Sequence, residues 1–170
     1  MAENIMKEIR IEKVIVNMGV GQTGEALDKG KTILNIVTGS KPMQTVAKVK
    51  IPTWGIREGL PIGAKVTLRG MKASEFLKRA LSAKDNVLSG KNFDRSGNFG
   101  FGIKEYIDLP GTKYDPKLGI RGFDVLVSLK RPGYRIKRRK IGKKKVPIKH
   151  SVSKESAITF VKEKFGVEIE

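Results

Sequence analysis

Between Leu60 and Arg69 the chain alternates with a strict two-residue period. Leu60, Ile62, Ala64, Val66 and Leu68 fall on one side, Pro61, Gly63, Lys65, Thr67 and Arg69 on the other. Successive side chains of a strand point to opposite faces, so one face of this strand is core and the other is small, polar and positive. Ile9 to Met18 is rich in β-branched residues and stops at Gly19, which also predicts a strand. Phe99, Phe101, Ile103, Ile107 and Leu109 share one parity, and Phe123, Val125, Val127 and Leu129 another run of it. Met43 to Ile51 reads as extended, and Pro52 blocks its continuation. Helical spacing marks Gly24 to Thr38 through Ala26, Leu27, Ile33, Leu34 and Val37, with Gly39 ending the run. Gly30 inside that helix costs roughly 1 kcal/mol against Ala, which predicts close packing there. Phe76, Leu77, Ala80 and Leu81 predict a helix from about Lys72 to Lys84. Ser153 is placed to N-cap a last one, with Ala157, Ile158, Val161 and Phe165 on its apolar face.

Two stretches between these elements, 86–98 and 110–122, carry the glycine, asparagine, serine and proline of turns. Lys130 to Lys149 is different: 11 Lys or Arg and no acid. A segment that charged cannot pack on itself, so an extended arm is expected until a partner orders it. The element order, strand–helix–strand–strand–helix–strand–strand–arm–helix, with a one-sided strand, predicts an α+β fold and not a doubly wound parallel one. The reading is of a single domain over 1–170 that includes the basic arm at about 130–150.

Charge narrows the function. The chain has 170 residues, 35 Lys and Arg, 17 Asp and Glu, and a formal net charge of +18. Self-repulsion of that size is usually offset by a polyanion. A chain of this length buries about 70% of its unfolded surface, so no metal or disulfide is needed to stabilise it. There is no cysteine and one histidine, His150, which removes thiolate nucleophiles, zinc knuckles and His-rich metal sites. No cofactor and no metal are expected. The N-terminal residues lack an apolar run of signal length and no window approaches a membrane span, so a cytoplasmic protein is expected.

Two phosphate motifs nearly form. Gly19-Val-Gly21-Gln-Thr-Gly24 satisfies G-x-G-x-x-G between a strand and a helix. That fingerprint also needs an acid about 20 residues on, and there is none from Lys29 through Arg57. The turn's amides remain candidates for an RNA phosphate. Gly30-Lys31-Thr32 looks like the end of a Walker A loop, but position 25 is glutamate and Lys31 falls mid-helix. Asp85, Asp94, Glu105, Asp108 and Asp115 are scattered singly, and His150 has no nucleophile beside it, so no enzyme is expected. Phe99, Phe101 and Phe123 share the parity of their aliphatic neighbours and read as core, not as a base-stacking platform. Trp54 lies between Pro52 and Gly55 with Lys50 and Arg57 nearby; it either stacks on a base or folds back onto the domain.

Several pieces in this order resemble one family: VIVNMGVGQTG, TGSKPMQTVAKVK, GIREGLPIGAKVTLRG, SGNFGFGIKEYIDLP and KYDPKLGIRGFDV. They are similar to the universal large-subunit ribosomal protein five family, the 5S rRNA-binding proteins numbered eleven in eukaryotes. The likeness runs from about Ile9 to Ile169; the insert RIKRRKIGKKKVPIKH resembles the archaeal and eukaryotic branch and not the bacterial one, and the lack of cysteine, the short N-terminus and the length favour an archaeal-type member. The resemblance implies an open, largely antiparallel sheet of about five strands with helices on one face. It implies a place in the central protuberance, with 5S rRNA, large-subunit rRNA and neighbouring large-subunit proteins as partners, and no homo-oligomer. The 5S rRNA-facing positions it implies are Asn17, Ser40, Lys41, Thr45, Lys48, Thr67 and Arg69; strand parity independently puts Lys65, Thr67 and Arg69 on the wet face. At Ser40 the bacterial members carry Gln, so this shorter side chain reaches less far. The loop from about Val49 to Gly59, with Lys50, Trp54, Ile56 and Arg57, is implied to touch the elbow of P-site tRNA. A small-subunit head protein is an implied partner as well, with the loop Gly111 to Gly122 as the candidate bridge.

On this reading Lys and Arg neutralise phosphates and give affinity, while Asn17, Thr45 and Thr67 reach ribose hydroxyls and base edges. The arm residues Arg135, Lys137, Arg138, Arg139, Lys140, Lys143, Lys144 and Lys145 would run along rRNA. The alternative is a free-standing RNA chaperone or regulator, equally compatible with +18. A membrane-surface role ranks behind both, because the arm lacks the interleaved apolar face of an interfacial helix.

Overall fold

The computed structural model describes residues 4–170; the first three residues of the N-terminal stretch considered above lie outside them. Among the described residues seven strands form, in chain order β1 (Arg10–Gly19), β2 (Met43–Val46), β3 (Pro61–Leu68), β4 (Val87–Leu88), β5 (Phe99–Ile103), β6 (Phe123–Lys130) and β7 (Glu168–Ile169). Five of them make one antiparallel sheet in the order β2-β3-β1-β6-β5, and β4 pairs separately with β7 in parallel. Helices α1 (Glu25–Thr38) and α2 (Gly70–Ser82) cover one face of the large sheet, and α3 (Lys154–Phe165) follows the basic segment. The α+β architecture expected from the pattern is the one observed, and the open antiparallel sheet matches what the resemblance implied.

The alternation read from the sequence sorts the two faces. Val14, Val16 and Met18 of β1, Ala64, Val66 and Leu68 of β3, and Phe123, Val125, Val127 and Leu129 of β6 are buried together with Phe99, Phe101 and Ile103. Leu27, Ile33, Leu34 and Val37 of α1 and Phe76, Leu77 and Leu81 of α2 close over them in one cluster. Gly30 lies where a Cβ would come 3.1 Å from Val20 Cγ2 and 3.2 Å from Met18 Sδ, which is the close packing predicted for it. The N-cap of α3 is Ser153, whose hydroxyl accepts the Ser156 N–H at 3.2 Å.

Three readings change. Strand β2 stops at Val46 and does not run to Ile51. Its partner position is Pro61, which has no N–H to donate, and the register shifts between Thr45 and Val46. Strand β5 ends at Ile103, short of Ile107 and Leu109. The chain turns there so that Tyr106, of the other parity, is fully buried with its hydroxyl accepting the Asp115 N–H at 3.0 Å. The basic arm is not extended but doubles back as a tied loop. His150 Nε2 donates to the Pro132 carbonyl at 2.8 Å, the Lys144 N–H reaches the Ile136 carbonyl, and Arg138 pairs with Glu12 of β1. Gly133 and Gly142, at φ of +91° and +63°, make the turns that a composition of like charges conceals.

Candidate nucleic-acid interface

The face of the sheet away from α1 and α2 is open, and backbone register assigns its rows. One row crosses four strands as Met43, Lys65, Asn17 and Asp124, because Met43 pairs with Lys65, Lys65 with Asn17, and Asn17 with Asp124. The next row toward the other end holds Thr67, Ile15, Leu126 and Gly100. Thr67 is exposed, while Asn17 and Lys65 are half-buried among their neighbours. Thr45 pairs with Gly63, and a Cβ on Gly63 would lie 2.8 Å from both Thr45 Oγ1 and the Met18 carbonyl. Only glycine lets the Thr45 hydroxyl lie flat across β3. Asn17, Thr45, Lys65 and Thr67 are thus brought onto one surface.

Ser40 and Lys41 sit at the rim of this surface, in the turn that ends α1. Gly39 takes the left-handed conformation with φ +60°, and its N–H caps the Asn35 carbonyl at 2.8 Å. The Thr38 hydroxyl donates to the Leu34 carbonyl at 2.6 Å, so the turn is fixed before any partner arrives. Lys41 is exposed and Ser40 half-buried. Arg69, exposed, precedes α2 in extended conformation and stands in its N-cap position.

Beyond β2 the chain continues as a narrow loop. The Ala47 N–H reaches the Leu60 carbonyl at 2.8 Å, and Ile51 and Ile56 exchange both backbone bonds at 2.9 and 3.1 Å. Pro52 to Trp54 makes a single tight turn closed by Gly55 at φ +65°. Trp54 is 73% exposed at the tip, so it does not fold back onto the domain. Lys48, Lys50 and Arg57 are exposed along the same loop. Ile56 is the exception among the predicted tRNA-facing residues: at 7% exposed it faces inward and holds the loop closed. The loop Gly111 to Gly122 is anchored by Thr112, whose hydroxyl lies 2.8 Å from the Tyr106 carbonyl and 2.9 Å from that of Leu109 and donates its one proton between them, and it exposes Tyr114 and Ile120.

Four ion pairs occur among the described residues: Glu8–Arg10, Glu25–Lys29, Asp28–Lys31 and Glu12–Arg138. Hydrogen bonding from Arg10 holds the Glu8 carboxyl below its usual range, and Lys29 does the same for Glu25. Of the predicted contact residues only Arg138 is committed to a carboxylate. Arg135, Lys137, Arg139, Lys140, Lys143, Lys144 and Lys145 are exposed on the basic loop. The glycine turn before α1 is a weaker anion site than its motif suggested. The Val20 and Gly21 amides both donate to the Ile62 carbonyl, and Glu25 and Asp28 already occupy the first helical turn.

Sequence reasoning passed over two features of this surface. Asp124 stands beside Asn17 and bounds the positive half of the face, and the β5 positions facing outward are both glycine, Gly100 and Gly102. The parity of β6 was the available signal for Asp124; pairing between strands far apart in sequence gave none.

Known proteins resemble this chain over nearly its whole length. Residues 4–57 match the family model described as ribosomal protein L5, and residues 61–160 match the model of the same ribosomal family's C-terminus. A large ribosomal subunit protein uL5 from Nanoarchaeum equitans is 51% identical over 168 residues, covering 98% of this chain and 99% of its own. Proteins of the same name from Methanococcus vannielii and Sulfurisphaera tokodaii are each 49% identical over 167 residues, covering 96% and 98% of this chain and 92% and 94% of theirs. The boundary between the two family models falls in the Trp54 loop, so the first covers two strands of the open face and the second three. The chain belongs to the ribosomal protein L5 family, in its archaeal-type branch, and is a structural and not an enzymatic protein.

Proposed function

We propose that the open sheet face, with the Gly39–Lys41 turn at its rim, grips 5S rRNA beside large-subunit rRNA in the central protuberance. The chain is a structural protein of the cytoplasmic large ribosomal subunit, as its family and its uL5 relatives have it. One observation carries the finer reading. Neutral reading groups, Asn17, Thr45 and Thr67, share a surface with Lys65 and the rim residue Lys41, and neither cation has a carboxylate partner among the described residues. Lysines supply phosphate affinity, and the amide and hydroxyls discriminate by reaching ribose hydroxyls and base edges.

The same reading extends outward. The Trp54 loop, with Lys50 and Arg57 along it, touches P-site tRNA, and the basic loop runs along rRNA. The Gly111–Gly122 loop meets a protein of the small-subunit head through Tyr114 and Ile120. The protein acts there as a single copy. The test is equilibrium binding of the purified protein to 5S rRNA and to a tRNA of similar size across a salt series. Specific recognition gives a preference on the order of 10³-fold, about 4 kcal/mol, at physiological salt. Equal binding that fades in parallel with salt is the signature of a general RNA chaperone and would overturn the proposal.

A further inference from the structure

A cavity of about 550 Å³ lies at the other end of the molecule from Asn17. Asn17 pairs with Asp124, and β6 runs six residues on to Lys130, about 20 Å at the usual strand rise. The basic loop starts there. The cavity walls come from two segments about forty residues apart: Arg95 and Ser96 before β5, and the 134–152 loop after β6. Gly97 fixes the junction, since at φ +73° a Cβ there would lie 2.5 Å from Val152 Cγ1. The Tyr134 hydroxyl accepts the Val152 N–H at 2.9 Å and holds the opposite wall. The site is therefore built before any ligand arrives.

Its lining divides by chemistry. Arg95, Lys137, Lys143, Lys144 and Lys145 are cationic, and no acid lines the space among the described residues. Tyr134, Val146 and Val152 give an apolar wall, and Ser96 and Ser151 add two hydroxyls. A run of surface lysines alone would take any polyanion. Here the volume of this half-open cleft lies within the about 300–1,000 Å³ of small-molecule pockets and adds a place for a ring and for a ribose. We propose that this cavity seats one unstacked nucleotide of an RNA. The lysines and Arg95 hold its phosphate, the apolar wall takes the base, and a serine hydroxyl meets the ribose 2′-hydroxyl. The inference rests on the rRNA-binding reading and adds a second, distant grip to it.

The experiment titrates the ¹⁵N-labelled full chain with adenosine 5′-monophosphate, inorganic phosphate, adenosine and a short single-stranded RNA. Saturable shifts of the Ser96, Gly97, Ser151 and Val152 amides are expected with the nucleotide and the RNA, with phosphate at least about tenfold weaker. V146W, which fills the space without removing charge, is expected to weaken both by about tenfold or more. K144Q provides the check should V146W fail to give a folded spectrum; it too is expected to weaken the nucleotide. Phosphate binding as tightly as the nucleotide, or no saturable shift at these amides, overturns the proposal. Binding of the free nucleotide but not of the RNA overturns the RNA source. The same samples are tested for 5S rRNA preference. Preference without a cavity response sinks this inference alone, and loss of preference sinks the reading beneath it.

Discussion

Charge and shape are expected to separate cleanly in two variants. The triple substitution Lys143→Gln, Lys144→Gln, Lys145→Gln removes three exposed charges that have no carboxylate partner among the described residues. If each meets an RNA phosphate, the slope of log affinity against log salt becomes shallower by about 2 to 3, at roughly 0.7 to 0.9 per contact. The loss against wild type then shrinks about four- to sixfold for each doubling of salt. Asn17→Ala changes no charge. It deletes one neutral side chain between Lys65 and Asp124, and its cost is about 1 kcal/mol, or about fivefold, at every salt concentration. The assay is filter or fluorescence binding to 5S rRNA for the three proteins over one salt series. A flattened slope for Asn17→Ala, or an unchanged slope for the triple variant, would refute the division of labour between the basic loop and the sheet face.

Other outcomes follow from the same geometry. Trp54→Ala should leave the melting temperature unchanged, within about 0.5 kcal/mol for so exposed a side chain, while weakening tRNA contact in reconstituted subunits. Ile56→Ala, two residues on, should do the reverse in part: about 2 kcal/mol or more of stability is lost because the side chain is buried, read by thermal unfolding. Gly63→Ala forces a Cβ against the Met18 carbonyl and the Thr45 hydroxyl, and should cost about 1–3 kcal/mol together with 5S rRNA affinity. An unchanged melting curve for Gly63→Ala would show that the β2–β3 pairing is looser than its register indicates.

The elements legible in the sequence are those whose apolar pattern a single neighbouring layer dictates. The strands at Val14–Met18, Ala64–Leu68 and Phe123–Leu129 bury one face under helices, so period two survives along their length. Pattern fails where a second constraint enters. Strand β2 ends at Val46, opposite the missing N–H of Pro61, and Leu109 is buried although no strand carries it, because Tyr106 turns inward first. The pair Val87–Leu88 with Glu168–Ile169 has no local signal at all, since two residues of parallel pairing exist only after the C-terminal end reaches the middle of the chain. At the candidate interface, parity finds Lys65 and Thr67. Inward-facing Ile56 escapes it because a loop of mixed composition carries no period. The cavity beside Tyr134 is illegible for a similar reason: Arg95 and Val152 are joined only by packing at Gly97.

The position of β1 in the sheet has a kinetic consequence. It is an early strand in the chain, yet it lies at the centre, with β3 on one edge and β6 on the other. Val14 must find Leu68 and then Val127, contacts more than fifty and more than a hundred residues away. Non-local pairing of this kind slows folding toward the millisecond-to-second range. A nascent chain therefore carries its central strand with one edge bare until residue 130 has been synthesised. An unpaired strand edge is a template for wrong pairing, and the strand that closes this one, β6, is the one that leads directly into the basic loop.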